Sequence, residues 1–150
     1  MSRSLFPLRL AAVCALGGAA ALVGSATVTA APIDFQPIPL ECEAGLASVL
    51  SVTHDEEAAV GGDEVLYVVS EPGGGGAWVT WLNLDTGVWS NETLVSTQEL
   101  WGAPAALSSP QAGTVVAAVW GPHENAAGEQ CFLLPGVDIA QVPGVAPVEN

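Results

Sequence analysis

The residues closest to a ligand set sit in one acidic stretch. His54-Asp55-Glu56-Glu57 and Asp63-Glu64 bring five carboxylates and an imidazole into residues 54–64. Oxygen donors at that density suit a hard cation, and Ca²⁺ held by Asp55, Glu56, Glu57, Asp63 and Glu64 is the one metal this pattern would take. The spacing is not that of an EF-hand, and a solvated acidic loop accounts for the same residues. Asn83, Asp85 and Gly87 repeat part of a calcium loop's alternation. The simpler expectation is a turn in which Asp85 bonds its own backbone and Gly87 supplies positive φ. His123-Glu124 would need His54 beside it to make a zinc or acid–base site.

Catalytic signatures are missing. The chain has no G-x-S-x-G, H-E-x-x-H, Walker or G-x-G-x-x-G pattern. A hydrolase using His54 or His123 would have no guanidinium or ammonium to stabilise developing charge, leaving backbone donors or a metal to do so. The five tryptophans, at 78, 81, 89, 101 and 120, point instead to contact. Trp78 and Trp81 have opposite parity, so on one strand they face opposite sides, one inward and one outward. Trp78, Trp81 and Trp89 are therefore the candidate partner-binding residues, with core filling as the plainer use of the same rings. Asn91-Glu92-Thr93 is a glycosylation sequon, relevant only in a eukaryotic secretory pathway.

Charge narrows the partners. The only basic residues are Arg3 and Arg9, while all 16 acidic residues lie after position 30. Residues 1–30 have the form of a secretory signal peptide. The two arginines precede an apolar core at 10–24, and Val28-Thr29-Ala30 supplies small residues for cleavage after Ala30. The processed chain would carry no Lys or Arg at all. Nucleic-acid backbones are excluded as ligands, since that affinity comes from cations, and anionic lipid is disfavoured for the same reason. Cys42 and Cys131 remain after cleavage, and an oxidising destination predicts a disulfide between them.

The elements that must position these residues read as strands. Residues 63–95 suggest two hairpins in series: DEVLYVVS, a loose EPGGGG connection, AWVTWLNL, a DTG turn and VWSNETLV. β-Branched and aromatic runs bounded by Gly, Pro and Asp favour strand over helix. Gly87 fits the left-handed position of a three-residue hairpin loop. These runs do not alternate with polar residues. Either both strand faces are covered, or an apolar face is left for a partner or for lipid.

Elsewhere, 31–43 is proline-rich and extended, a candidate covering edge strand. Residues 44–53 read as strand, 54–64 as loop, and 96–110 as an irregular connection. Strands are expected at 114–120 and 129–134, the second continuing to 142 beyond a Pro135-Gly136 kink. The expected fold is all-β: one antiparallel β-sandwich or small barrel of six to eight short strands over residues 31–142, with one disulfide and a frayed tail at 143–150.

The functional expectation is an exported, strongly acidic, non-enzymatic binding or structural domain of the cell envelope or extracellular space. It would use an apolar, aromatic face to meet an envelope or extracellular protein or a glycan. The alternatives are an oligomeric β-barrel pore subunit of a bacterial outer envelope and a small secreted hydrolase. No cofactor is expected beyond Ca²⁺.

Overall fold

The computed structural model describes residues 30–145. The expected leader up to residue 29 and the tail from residue 146 lie outside the described residues.

Ten strands and one short helical turn follow in order: β1 (Ala31–Pro32), β2 (Ile38–Leu40), β3 (Val49–Asp55), β4 (Val60–Val69), β5 (Trp78–Asn83), β6 (Trp89–Thr93), β7 (Val95–Ser96), η1 (Gln98–Leu100), β8 (Pro104–Ser108), β9 (Gly113–Glu124) and β10 (Gln130–Val142). They form two five-stranded antiparallel sheets, β1-β3-β4-β8-β7 and β2-β10-β9-β5-β6. The expected sandwich is present. No helix among the described residues is long and apolar enough to cross a membrane.

The sandwich is also nearly a barrel, because two segments change sheets. The proline-rich segment pairs with β3 through β1 and with β10 through β2. Between them, the Ile33 amide donates to Val49 at 3.1 Å, and Phe35 exchanges two backbone bonds with Val137. The Gln36 side chain meets both the amide and the carbonyl of Val49, standing in for a strand residue. On the opposite side β6 pairs with β5, the chain turns at buried Leu94, and β7 pairs with β8. Each switching segment closes one corner, as in orthogonally packed sheets. Counting each as one, eight strands form a closed circuit.

Between the sheets, Val49, Val65 and Tyr67 meet Val79, Trp81, Leu94, Val119 and Leu133 in the main core. Period-two alternation produces this: Val79, Trp81 and Asn83 of β5 point inward while Trp78, Thr80 and Leu82 point outward. Cys42 and Cys131 form the expected disulfide, with Cα atoms 5.2 Å apart, tying the chain ahead of β3 to β10.

Several sequence expectations change. Residues 63–95 are not two hairpins, because β4 and β5 belong to different sheets. Within that stretch only β5–β6 is a hairpin. Its turn includes Leu84 as well as Asp85-Thr86-Gly87, with the Asn83 amide bonded to the Val88 carbonyl and Gly87 at φ 74°. The glycine run is no loose connection either. Gly75 exchanges two backbone bonds with Glu124, and Gly76 donates to Leu94. All four glycines have positive φ, and a Cβ on Gly74 would collide with the Glu124 carbonyl.

The acidic stretch is mostly strand, with β3 running through Asp55 and β4 starting at Val60. Residues 96–110 contain β8, which lies between β4 and β7. The kink at Pro135-Gly136 is present as a break in the β9–β10 register between Leu133 and Gly136.

Candidate functional site

The two outer faces differ. On the first sheet, Val52, Val60, Leu66 and Ala105 form a second small core, with Val68 and Leu100 packed against it. The β3–β4 turn and η1 thus cover part of that face. Among the described residues the second sheet has no such cover. Its registers line up outward residues in rows across the strands: Trp89, Leu82, Val116 and Ile139; then Asn91, Thr80, Ala118 and Val137; then Thr93, Trp78 and Trp120; then Pro122, Phe132 and Leu40. Trp89 is 68 % exposed and Ile139 54 % exposed. Both alternatives for the non-alternating strands are therefore realised, one on each sheet.

An open depression of about 470 Å³ lies on this uncovered face, between Leu82, Leu84, Trp89, Val116 and Val137. Thr80 supplies one of its few polar groups. Its hydroxyl accepts the Trp120 indole N–H at 2.9 Å and donates to Asn91 Oδ1 at 2.6 Å. Trp78 packs edge-on against Trp120 with centroids 4.9 Å apart, and its ring covers Gly121. These contacts lock two of the outward rings, while Trp89 stands free at the rim.

The three candidate tryptophans separate accordingly. Trp89 faces out and Trp78 is partly covered. Trp81 points its ring into the core, although it also borders the depression: it is 4 % exposed, with its indole N–H donated to Glu92 Oε2 at 2.8 Å. Its parity with Val79 sends it inward. Trp101, 90 % exposed beside η1, projects elsewhere.

The acidic candidates are strung along a hairpin. Asp55 ends β3 and accepts the amides of Glu57 and Ala58 through one oxygen. Glu64 accepts the Gly61 amide at 2.7 Å. Glu56 and Glu57 occupy the turn, and Asp63 lies on β4. Among the described residues no three His, Cys, Asp or Glu side chains converge on a metal position. Glu57 also borders a cleft of about 630 Å³ with Glu92 and Glu99, floored by Leu66, Leu100 and Leu107.

The turn at Asn83 works differently from the expectation. Asn83, not Asp85, bonds the local backbone, accepting the amides of Asp85 and Thr86. Its Nδ2 donates to the carbonyls of Pro110 and Ala112. Asp85 instead accepts the Thr114 amide at 2.9 Å.

The two histidines do not form a pair. His54 is exposed on β3 of the first sheet, whereas His123 is buried on β9 of the second. Desolvation pushes the His123 pKa below its ordinary value, partly opposed by Glu124. Its Nδ1 has no protein partner.

A polar cluster that the sequence did not reveal lies inside the fold. Tyr67 is fully buried with its hydroxyl unpartnered. Burial, then Asp138 and Glu92, drive its pKa far above the ordinary phenol value. Asp138 is also buried, and desolvation followed by Asp34 raises its pKa, against the Ser51 hydroxyl that lowers it. Asp34 and Asp138 are brought together by the crossing segment lying against β10, a long-range contact that no local pattern announces.

Neither protein-family models, nor curated proteins, nor solved structures provide a match to this chain.

Proposed function

We propose that this chain is a non-enzymatic binding domain of the envelope or extracellular space, and that the outer face of the β2-β10-β9-β5-β6 sheet is where it meets a protein partner. The observation that carries this reading is the set of apolar rows left uncovered on that face, with Trp89 at the rim of the depression. Exposed contiguous apolar surface on a domain otherwise able to cover its sheets marks a contact surface.

Charge selects the partner. Asp34, Glu41, Asp85 and Glu124 sit around the edges of the sheet, and residues 31–150 offer no Lys or Arg. The complementary surface is apolar at its centre and rich in Lys and Arg at its rim. A second copy would bring the same carboxylates face to face. The filled interior, with Tyr67, Trp81, Leu94 and Leu133, leaves no lumen within one chain, so a pore would have to form between subunits. A hydrolase would have a single histidine to work with, since His54 and His123 lie on different sheets. The disulfide suits a non-reducing setting.

The test is site-specific photocrosslinking in the producing cell, with the reactive group at position 89 or 139 and a control at position 54 on the opposite sheet. The expected result is a discrete adduct from 89 and 139 to a protein with a basic contact surface, weakened by salt. Equal adducts from all three positions, adducts only to a second copy, or none would overturn the reading.

A further inference from the structure

Where the crossing segment meets β3 and β10 there is a cavity of about 220 Å³, lined among others by Ala31, Asp34, Ser51, Thr53, Asp138 and Gln141. Asp138 is 5 % exposed, and its Oδ2 has no hydrogen-bond partner. Asp34 borders the same space and accepts the Ile139 amide at 2.8 Å. A buried carboxylate with an unmet oxygen, beside the exposed carboxylate of Asp34, is costly unless it takes up a proton or a cation joins it.

The chain has almost nothing to offer as that cation. Residues 31–150 contain no Lys or Arg. His54 is exposed, and His123 is buried on β9 with a lowered pKa. Yet Ala31, the first residue after the expected leader, lines this cavity. Strand β1 holds it there, with Ala31 opposite Ser51 and Pro32 opposite Leu50.

We infer that removing residues 1–30 creates the missing counter-ion: the α-ammonium of Ala31, seated in the cavity against Asp138 and Asp34. Hydrolysis of the Ala30–Ala31 bond adds one water. The carboxylate leaves with the leader, and the amine left on Ala31 takes up a proton. Desolvation raises the Asp138 pKa, opposed by the Ser51 hydroxyl, and an ammonium beside it would favour the ionised form. Processing then completes the seam between the two sheets as well as releasing the chain. The inference rests on the expected cleavage site and not on the docking surface.

The processed chain would have no lysine, so this amine is its only primary amine, and an acylating ester reports on it alone. The exported protein is purified from cells expressing the full-length gene. Its first residue is read by intact mass, and its acylation rate is measured at neutral pH, folded and in denaturant. Each unit by which an ion pair raises an amine pKa lowers the reactive fraction about tenfold. The expected results are Ala31 as first residue, acylation about tenfold or more slower in the folded protein, and Asp138→Asn bringing the folded rate close to the unfolded one. Asp34→Asn gives a smaller gain in rate, and near-ultraviolet circular dichroism confirms that both variants fold. A different first residue, equal folded and unfolded rates in the unaltered protein, or protection that survives Asp138→Asn would each overturn the inference.

Discussion

Tyr67 is the only tyrosine of the chain, which makes its ionisation directly readable. Its hydroxyl is buried near Asp138 and Glu92, so the folded protein holds the phenolic proton far above the usual pKa of 10.0. The unfolded chain releases that proton near the usual value. The stability Tyr67 contributes is therefore complete below pH 10 and declines as pH rises past it. Tyrosinate absorbance in an alkaline titration should appear together with loss of tertiary structure. Tyrosinate forming in the intact fold would contradict the burial described. His123 has the opposite sign. Desolvation lowers its pKa, so the folded state resists a proton that the unfolded chain accepts near 6.5. Its contribution is present above that value and lost as pH falls. Urea unfolding across mildly acidic pH should show a slope that His123→Gln flattens, with His54→Gln as the exposed control.

The Cys42–Cys131 bond spans 89 residues and ties the chain before β3 to β10. Closing a loop of that length stabilises by about 4–5 kcal/mol in the chain-entropy account. Replacing both cysteines by serine should lower the unfolding free energy by up to about that amount, read from denaturant midpoints at unchanged slope. This pairing was legible because only two cysteines lie beyond the expected leader. The β5–β6 hairpin was legible from Gly87, and the opposite facing of Trp78 and Trp81 from parity alone. What stayed hidden were relations between elements. Nothing local in residues 63–84 says whether neighbouring strands pair or cross, and the structure sends β4 and β5 to different sheets. Strand β8 escaped notice because Pro104-Ala105-Ala106 lacks β-branched residues, although small side chains there serve both the main core and the outer cluster. The start of β4 looked like loop because Gly61-Gly62-Asp63-Glu64 after Val60 are poor strand formers. Asp34 and Asp138 are each unremarkable in sequence, and only the tertiary fold brings them to one cavity.

With all 16 acidic residues after position 30 and no Lys or Arg there, residues 31–150 have almost no attractive charge pairs for salt to weaken. Screening can mainly relieve repulsion. Thermal stability should therefore rise steadily with added sodium chloride over the range in which surface charge is screened. A fall in melting temperature would mean that attractive electrostatics dominate. The same surface favours a lone chain in solution over assembly of identical copies.

The segment that changes sheets between β1 and β2 shields β3 and β10 simultaneously. A protease that removed it would bare two strands' worth of unpaired amides and carbonyls on a molecule still stapled at Cys42. Such a remnant would be a vacancy for strand addition, ready to accept the equivalent stretch from a neighbour and grow into a chain of donors and acceptors.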